Sequence, residues 1–172
     1  MKPPPKKTQL KSTVIILGTS RKNGNTENLV YKLNQKLNCE IINLREYKIS
    51  EFDYEHNNYS DDFLKIIKNI IEKYEHLVFV TPVYWYSMSG IMKTFFDRLT
   101  DLLTIEKEIG RKLRGKKVSV LTSSIGDNME NNFWLPFENT FKYLEMKFIL
   151  KQHFIESDIT EKQIEQLYNI LK

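Results

Sequence analysis

The sequence has little cysteine and little histidine, and this limits the thiol and metal chemistry open to it. Cys39 is the only cysteine among the 172 residues, so one chain can form neither a disulfide nor a cluster of thiolate ligands. The three histidines, His56, His76 and His153, are far apart and lie beside predicted element ends, a placement typical of solvated or structural histidines. We therefore expect no metal site.

Long apolar runs are also missing. No stretch approaches the roughly 20 apolar residues that a transmembrane helix needs, and the N-terminus lacks the apolar core of a signal peptide. A single cysteine is consistent with the reducing cytoplasm. With 41% hydrophobic residues in a chain of 172, there is enough apolar material for the core of about one domain. These features predict a soluble cytoplasmic protein.

An excess of one charge is confined to one end of the chain. The formal charge is +4, but the first 12 residues contain four lysines and no acid, and the rest of the chain carries 22 basic and 22 acidic side chains. Three consecutive prolines lie in the same basic stretch, so we predict a flexible tail over residues 1–11 and a single domain over residues 12–172. Because the domain has no basic excess, neither nucleic acid nor a membrane is an expected partner.

Within the domain, five apolar strands alternate with five predicted helices. We place the strands at 14–17, 39–44, 77–80, 118–121 and within 148–155. We place the helices from a cap at Asn25 or Thr26 to 37, from a cap at Ser60 to 74, over 91–103, over about 132–145 with Pro136 in the first turn, and after a cap at Thr160. This alternation predicts an α/β fold with an open parallel sheet covered on both faces. If the strand order is 2-1-3-4-5, the loops after strands one, three and four lie together, where such sheets bind ligands.

The first of these loops, residues 18–26 with the sequence GTSRKNGNT, has the composition of a phosphate-binding turn. It leaves a buried strand at Gly18, carries hydroxyl, amide and cationic side chains, and enters a helix after Gly24, where a positive φ is expected. Free N–H groups at a helix N-terminus attract a phosphate, and hydroxyls add donors. The loop fits neither a Walker motif nor a G-x-G-x-x-G dinucleotide motif. By itself, it could equally be an ordinary capped connection. The candidate ligands are Ser20, Arg21, Asn25 and Thr26.

Two further loops extend this pattern. Residues 81–98, TPVYWYSMSGIMKTFFDR, include three consecutive aromatic residues, and residues 122–127, TSSIGD, are rich in small side chains. Together with the first loop, these stretches resemble the NAD(P)H-dependent FMN reductase family of flavodoxin-like proteins. The resemblance covers roughly residues 12–155. It implies a flavodoxin-like three-layer αβα sandwich with a five-stranded parallel sheet in the order 2-1-3-4-5.

The resemblance also implies a role for each loop in binding FMN. The first loop would wrap the phosphate through Ser20, Arg21, Asn25 and Thr26. The second would border the isoalloxazine ring and ribityl chain through Pro82, Val83, Tyr84, Trp85, Tyr86 and Ser87. The third would lie along the pyrimidine side through Ser123, Ser124, Gly126 and Asp127. No residue needs to act as an acid or base, because the flavin carries the chemistry. An alternative for the aromatic residues at 84–86 is that they seal the end of the sheet.

The implied activity is that of an FMN-dependent NAD(P)H oxidoreductase. Nicotinamide would reduce the flavin, and a quinone, free flavin, nitro- or azo-aromatic compound would accept the electrons. Two alternatives stay open, namely a flavodoxin-type electron carrier with a protein partner and a nucleotide-binding regulator without activity. The neutral domain disfavours the carrier, because acidic surfaces help such proteins find basic partners. The sequence indicates no preference between NADH and NADPH.

The same resemblance implies a homodimer or a higher homo-oligomer that packs through the helix over 91–103. Phe95 and Phe96 lie side by side there, which suggests more apolar width than one sheet face covers. Iron–sulfur members of the wider family have closely spaced cysteines after the second strand, whereas residues 49–57 have none. We therefore expect no cluster.

One coincidental motif suggests a different enzyme. Cys39 and Arg45 have the C-x5-R spacing of a phosphatase nucleophile loop. That loop needs a curled cradle with glycine, whereas the five intervening residues predict an extended strand. We therefore do not expect phosphatase activity.

Overall fold

The protein has a three-layer αβα fold in the computed structural model, which describes residues 11–126, 129–155 and 158–172. Its strands are β1 (Lys11–Leu17), β2 (Glu40–Asn43), β3 (Tyr74–Tyr84), β4 (Ser87–Met88), β5 (Lys117–Ser124) and β6 (Lys147–Ile155). Five of them are parallel in the order β2-β1-β3-β5-β6, and the short β4 pairs antiparallel with β3. Without β4, this is the predicted order 2-1-3-4-5. The predicted tail falls almost wholly on residues 1–10, which lie outside the described residues.

Seven α-helices are present in the described part of the chain and cover both faces of the sheet. They are α1 (Asn25–Leu37), α2 (Asp62–Lys73), α3 (Gly90–Asp97), α4 (Asp101–Thr104), α5 (Lys107–Arg111), α6 (Leu135–Tyr143) and α7 (Glu161–Leu171). None of these helices combines the length and the apolar character of a membrane span. Turns of 3-10 helix lie at Leu44–Glu46, Arg98–Thr100 and Asn131–Trp134.

The continuous apolar run of β1 is explained by burial on both sides of the sheet. Val14 and Ile16 belong to the core cluster beneath α2, α3 and α6, whereas Ile15 and Leu17 belong to the cluster beneath α1 and α7. Successive side chains of a strand point to opposite faces, so a strand covered on both faces needs apolar residues at every position. The predicted α/β architecture is therefore confirmed.

The predicted third strand was too short at its carboxyl end. We expected Thr81 and Pro82 to end it, but β3 continues to Tyr84 and turns back as a hairpin with β4. β1 pairs with β3 only as far as Val80, whereas β5 pairs as far as Pro82. Beyond Val80, β3 no longer has β1 as a neighbour on that side, so no N–H donor is needed there. Pro82, which has no N–H group, is therefore tolerated.

Several predicted helix boundaries also differ from the structure. The N-cap of α2 is Asp61 rather than Ser60, because the Asp61 carboxylate accepts the Phe63 N–H at 3.0 Å. The helix predicted over 91–103 is divided by the Arg98–Thr100 turn into α3 and α4, and α5 was missed. The cap at Thr160 is confirmed, as is the position of Pro136 in the first turn of α6.

A buried arginine holds the irregular segment between β2 and α2. Arg98 is 0% exposed and binds Asp101 through Nε at 2.8 Å, Asp61 through Nη1, and the carbonyl oxygen of Ser50 at 3.0 Å. Burial alone would raise the pKa of Asp61, but the hydrogen bonds from Arg98, Ser50 and Phe63 outweigh it and lower that pKa. The surface loop after β2 is therefore tied to α2 and to the start of α4.

A buried histidine lies near the amino end of β3, at the opposite end of the sheet from the loop that follows β2. His76 is 4% exposed, and its Nε2 lies 2.8 Å from Ser119 Oγ. Burial, with a smaller contribution from Lys117, lowers its pKa to about 4.

The burial of His76 predicts acid sensitivity of the fold. The unfolded chain binds a proton at this histidine near pH 6.5, whereas the folded protein resists protonation down to about pH 4. Stability from this residue is therefore present above pH 6.5 and is lost as the pH falls towards 4. We expect about 2 kcal/mol of unfolding free energy to be lost through His76 between pH 7 and pH 5. Urea unfolding of His76→Gln should show a correspondingly flatter pH dependence, and an unchanged slope would contradict this assignment.

Candidate functional site

The candidate site lies at the carboxyl ends of β1, β3 and β5, where three loops meet. We call residues 18–26 the first loop, residues 82–89 the hairpin and residues 122–126 the third loop. β1 pairs with β3 up to Leu17, and β3 pairs with β5 up to Pro82, the first residue of the hairpin. This register brings the three loops to one edge of the sheet.

A buried serine joins the first loop to the hairpin and to α3. Ser89 is fully buried and caps α3 by accepting the Met92 N–H at 3.2 Å. Its hydroxyl donates to the carbonyl oxygen of Gly18 at 2.7 Å, and its N–H donates to Thr81 Oγ1 at 3.0 Å. These bonds are shielded from water, so breaking one leaves a buried polar group without a partner. They fix the position of the hairpin relative to the first loop.

The start of the first loop has no space for a side chain. A Cβ at Gly18 would lie 2.9 Å from Met92 Cβ and 3.2 Å from Met92 Cα. The backbone of α3 therefore approaches the end of β1 as closely as glycine allows. The Gly18 N–H also donates to Val80 O at 2.9 Å, which extends the pairing of β1 with β3 by one bond.

A second polar contact joins the first loop to the third. Thr26 and Ser123 are both buried, and their hydroxyl oxygens lie 2.7 Å apart. Each hydroxyl has one hydrogen, so one donates to the other and the second hydrogen is free for another acceptor. The N-cap of α1 is Gly24, not Asn25 or Thr26 as predicted, and Gly24 makes no side-chain cap. The Thr26 hydroxyl thus connects two loops instead of capping its own helix.

The conformation of the first loop is fixed by a carboxylate of α1. The expected positive φ is not at Gly24, where φ is −87°, but at Asn23, where φ is 53°. The Asn23 N–H donates to Glu27 Oε2, and Arg45 Nη2 donates to Glu27 Oε1 at 3.2 Å. Asparagine tolerates the left-handed region better than most residues. The hydrogen bond from Asn23 to Glu27 therefore holds the bend of the loop.

The tip of the hairpin holds two aromatic residues in an unfavourable conformation. Trp85 and Tyr86 have φ values of 49° and 63°, and they connect the paired residues Tyr84 and Ser87. Two successive positive values are typical of a type I′ turn, which favours Asn and Gly. Bulky residues there cost about 1–3 kcal/mol each. Trp85 is 94% exposed and Tyr86 61%, so packing within the chain does not offset the strain. These aromatic residues therefore do not seal the end of the sheet.

A cavity of about 230 Å³ opens between the hairpin and the third loop. The described residues that line it are Val83, Trp85, Tyr86, Ser124, Gly126 and Met129. They provide aromatic and apolar surface, a serine hydroxyl and backbone groups, without a carboxylate, amine, imidazole or thiol. Such a wall suits a flat amphipathic ligand that carries its own chemistry.

A histidine behind this cavity orients the serine in its wall. Ser124 Oγ lies 2.7 Å from the carbonyl oxygen of Gly126 and 2.7 Å from His153 Nε2. A carbonyl only accepts, so the serine hydrogen goes to Gly126 and His153 Nε2 is the donor. His153 is therefore protonated at Nε2.

The predicted site residues fall into three groups. Those in mutual contact or around the common cavity are Thr26, Ser123, Val83, Trp85, Tyr86, Ser124 and Gly126. The second group lies on the same edge of the sheet: Ser20 and Arg21, both exposed, Asn25 at the start of α1, Tyr84 and Ser87, exposed in the hairpin, and Pro82, which is buried in β3. Asp127 lies outside the described residues.

Sequence reasoning missed five residues of this site: Ser89, Glu27, Arg45, Met129 and His153. Two of them had a local signal. A serine directly before a helical pattern suggests an N-cap, and an acid three positions after the N-cap suggests a capping interaction. The other three had none, because their partners come from distant parts of the chain.

The C-x5-R motif does not form a phosphatase loop. Cys39 precedes β2 at the amino end of the strand, whereas Arg45 follows its carboxyl end and pairs with Glu27. Burial raises the pKa of the Cys39 thiol to about 11. A strand thus separates the two residues, and the thiol is not activated.

Comparison with known proteins agrees with this architecture. The model of the NADPH-dependent FMN reductase family matches residues 12–160. YwqN of Bacillus subtilis (strain 168), assigned as an NAD(P)H-dependent FMN-containing oxidoreductase, is 32% identical over 146 residues, which are 78% of this chain and 79% of that protein.

Solved structures show the same fold. The Trp repressor binding protein from Bacillus subtilis has a TM-score of 0.70 and 26% identity, with 93% of this chain and 97% of that chain covered. An FMN-dependent NADH-azoreductase from Bacillus anthracis, solved in complex with FMN, has a TM-score of 0.61 and 13% identity, with 92% and 94% covered. The chain therefore belongs to the NADPH-dependent FMN reductase family and is an NAD(P)H-dependent oxidoreductase that uses FMN.

Proposed function

We propose that the first loop, the hairpin and the third loop hold FMN, and that the enzyme passes electrons from nicotinamide to a small flat acceptor such as a quinone, free flavin, nitro- or azo-aromatic compound. The observation that carries this proposal is the open aromatic cavity between the hairpin and the third loop, joined to the first loop by the buried contact between Thr26 and Ser123. FMN supplies the redox chemistry when bound, so these residues bind and orient it.

The phosphate of FMN is assigned to the first loop. The 13-residue helix α1 directs its first N–H groups towards this loop, and these lack partners within the helix. Arg21 is exposed and able to approach an anion. The residues that would hold the phosphate are Ser20, Arg21, Asn25 and Thr26.

The isoalloxazine ring is assigned to the cavity. Trp85 and Tyr86 provide exposed aromatic surface, and Ser124 and Gly126 provide polar groups on the opposite wall. On either side of these residues, Pro82, Val83, Tyr84 and Ser87 border the ring and ribityl chain, and Ser123 and Asp127 complete the third loop.

The exposure of the hairpin supports a small planar electron acceptor. Because Trp85 remains almost fully exposed, the described chain forms no lid, and a planar compound can reach a bound ring from solvent. A flavodoxin-type carrier is not favoured, since the matched family model is that of a reductase. A regulator would bind FMN without turnover.

A homodimer or higher homo-oligomer remains part of the proposal, although one argument for it was wrong. Phe95 and Phe96 are buried in the core of the subunit and leave no spare apolar width. Exposed apolar side chains lie further along, at Leu103 and Ile105. The dimer therefore rests on the family resemblance.

The central test is spectroscopic. The purified protein is mixed with FMN, freed of excess, and titrated anaerobically with NADH and with NADPH. We expect a retained flavin band that bleaches, and turnover when a soluble quinone is added. Binding without bleaching would favour the regulator. Bleaching without turnover on small acceptors would favour the carrier.

Removing the hydroxyl that joins the first and third loops should weaken FMN binding. Thr26→Val leaves Ser123 without its partner and removes a donor from the phosphate loop, so we expect a loss of about 1–3 kcal/mol in FMN binding free energy. Fluorescence titration measures this loss. Thr26→Ser keeps the hydroxyl and serves as the control. An unchanged affinity in Thr26→Val would remove this residue from the site.

Relieving the strain in the hairpin should raise the stability of the apoprotein and lower its affinity for FMN. Tyr86→Gly places the residue preferred in this turn at a positive φ, so we expect the apoprotein to gain about 1 kcal/mol in unfolding free energy. The lost aromatic surface should lower FMN affinity by about tenfold. Tyr86→Phe keeps the ring and should change neither quantity. A Tyr86→Gly variant that binds FMN normally would refute the role assigned to this side chain.

A further inference from the structure

Buried Glu27 and Arg45, whose side chain is 24% exposed, form an ion pair that includes none of the predicted ligands. Glu27 is 2% exposed, although it is a carboxylate in the first turn of α1. Its partner Arg45 comes from the 3-10 turn after β2, where the Arg45 N–H is held by Asn43 Oδ1 at 3.3 Å. We propose that Glu27 and Arg45 are positioning residues that set how strongly the first loop binds the phosphate of FMN. This inference rests on the proposed placement of the phosphate.

Glu27 holds the bend of the first loop. Glu27 Oε2 accepts the N–H of Asn23, the residue in the loop with a positive φ. A loop of polar residues can adopt several conformations, and this bond selects one of them. Loop N–H groups that are already oriented lose less conformational entropy when an anion binds. Glu27 therefore prepares the loop for its ligand.

Arg45 compensates the negative charge of Glu27. A carboxylate beneath a phosphate-binding loop has the same sign as the ligand, and burial weakens the screening by water and salt. Arg45 removes this conflict, because its Nη2 lies 3.2 Å from Glu27 Oε1 and the pair is neutral as a unit. Asn43 Nδ2 adds a longer contact to the same oxygen at 3.5 Å. The loop thus keeps its brace without repelling the phosphate.

Arg45 can reach Glu27 because β2 lies beside β1 in the sheet. Arg45 follows β2, and β2 pairs with β1 in parallel up to Asn43 opposite Leu17. The turn after β2 and the loop after β1 therefore leave the sheet side by side. The pairing register thus brings Arg45 to Glu27 from a neighbouring strand.

A double-mutant cycle on Glu27 and Arg45 tests the pair, with affinities for FMN and for riboflavin measured by fluorescence titration. Riboflavin lacks the phosphate, so the ratio of the two affinities isolates the first loop. Arg45→Met leaves Glu27 uncompensated, and we expect the ratio of FMN to riboflavin affinity to fall by about tenfold at low salt, and by less at high salt. Glu27→Gln in the same protein removes the repelling charge and should restore most of the ratio.

Matched controls separate this role from a structural one. Arg45→Lys keeps the charge and should keep the ratio. Arg111→Met removes an arginine whose partner, Glu108, lies on the exposed α5, and should change neither affinity. Thermal unfolding of each variant monitors the fold, and Arg45→Gln replaces Arg45→Met if the latter is unstable.

The outcomes are distinct. A lowered ratio in Arg45→Met that Glu27→Gln restores supports the pair as positioning residues. An unchanged ratio, or an equal loss of FMN and riboflavin affinity, overturns it while leaving the FMN site in place. A wild-type protein that binds riboflavin as well as FMN would overturn both this inference and the assignment of the first loop to the phosphate.

Discussion

The geometry of the candidate site depends on the hydroxyl of Ser89, which is buried in the protein and does not line the cavity. It caps α3 and donates to the Gly18 carbonyl at 2.7 Å. This bond is possible because Gly18 has no side chain to keep α3 away from the end of β1. The distance between the first loop and the hairpin is therefore set by core packing. Loops held in this way lose less entropy when a ligand binds between them.

Ion pairs with at least one buried member fix the segments around the site that lack regular structure. Arg98 and Asp61 tie the loop after β2 to the helical layer, and Glu27 and Arg45 tie the turn after β2 to the first loop. Such pairs contribute little net stability, because desolvation offsets much of their attraction, but loss of one partner leaves an unpaired buried charge. Their effect is to make one arrangement of the loops much more favourable than the others.

The layers of the fold and the meeting of the three loops at one edge of the sheet could be predicted from the sequence. β1 and β3 contain continuous apolar runs, and the run of β5 is interrupted only by the buried Ser119. Each of the three loops begins at or just after the end of such a run, so local pattern and topology gave the same answer. The contacts that shape the loops could not be predicted. Thr26 and Ser123 are 97 positions apart, and Glu27 and Arg45 are 18 apart, and nothing in the residues near either member of these pairs indicates the other. For the same reason, local spacing paired Arg45 with Cys39 in a phosphatase-like motif, whereas its partner in the structure is Glu27.

The hairpin shows how such long-range constraints override local preference. Its two ends are fixed by the pairing of Val83 with Met88 and by the anchored Ser89, so the chain must reverse through Trp85 and Tyr86 alone. A reversal of two residues between paired strands requires positive φ values, whichever side chains are present. Asn and Gly at these two positions would adopt positive φ values with less strain, but they would leave the edge of the sheet without aromatic surface. The aromatic residues are therefore held in strain by contacts outside the turn, and departures from local rules of this kind are expected where a protein binds its ligand.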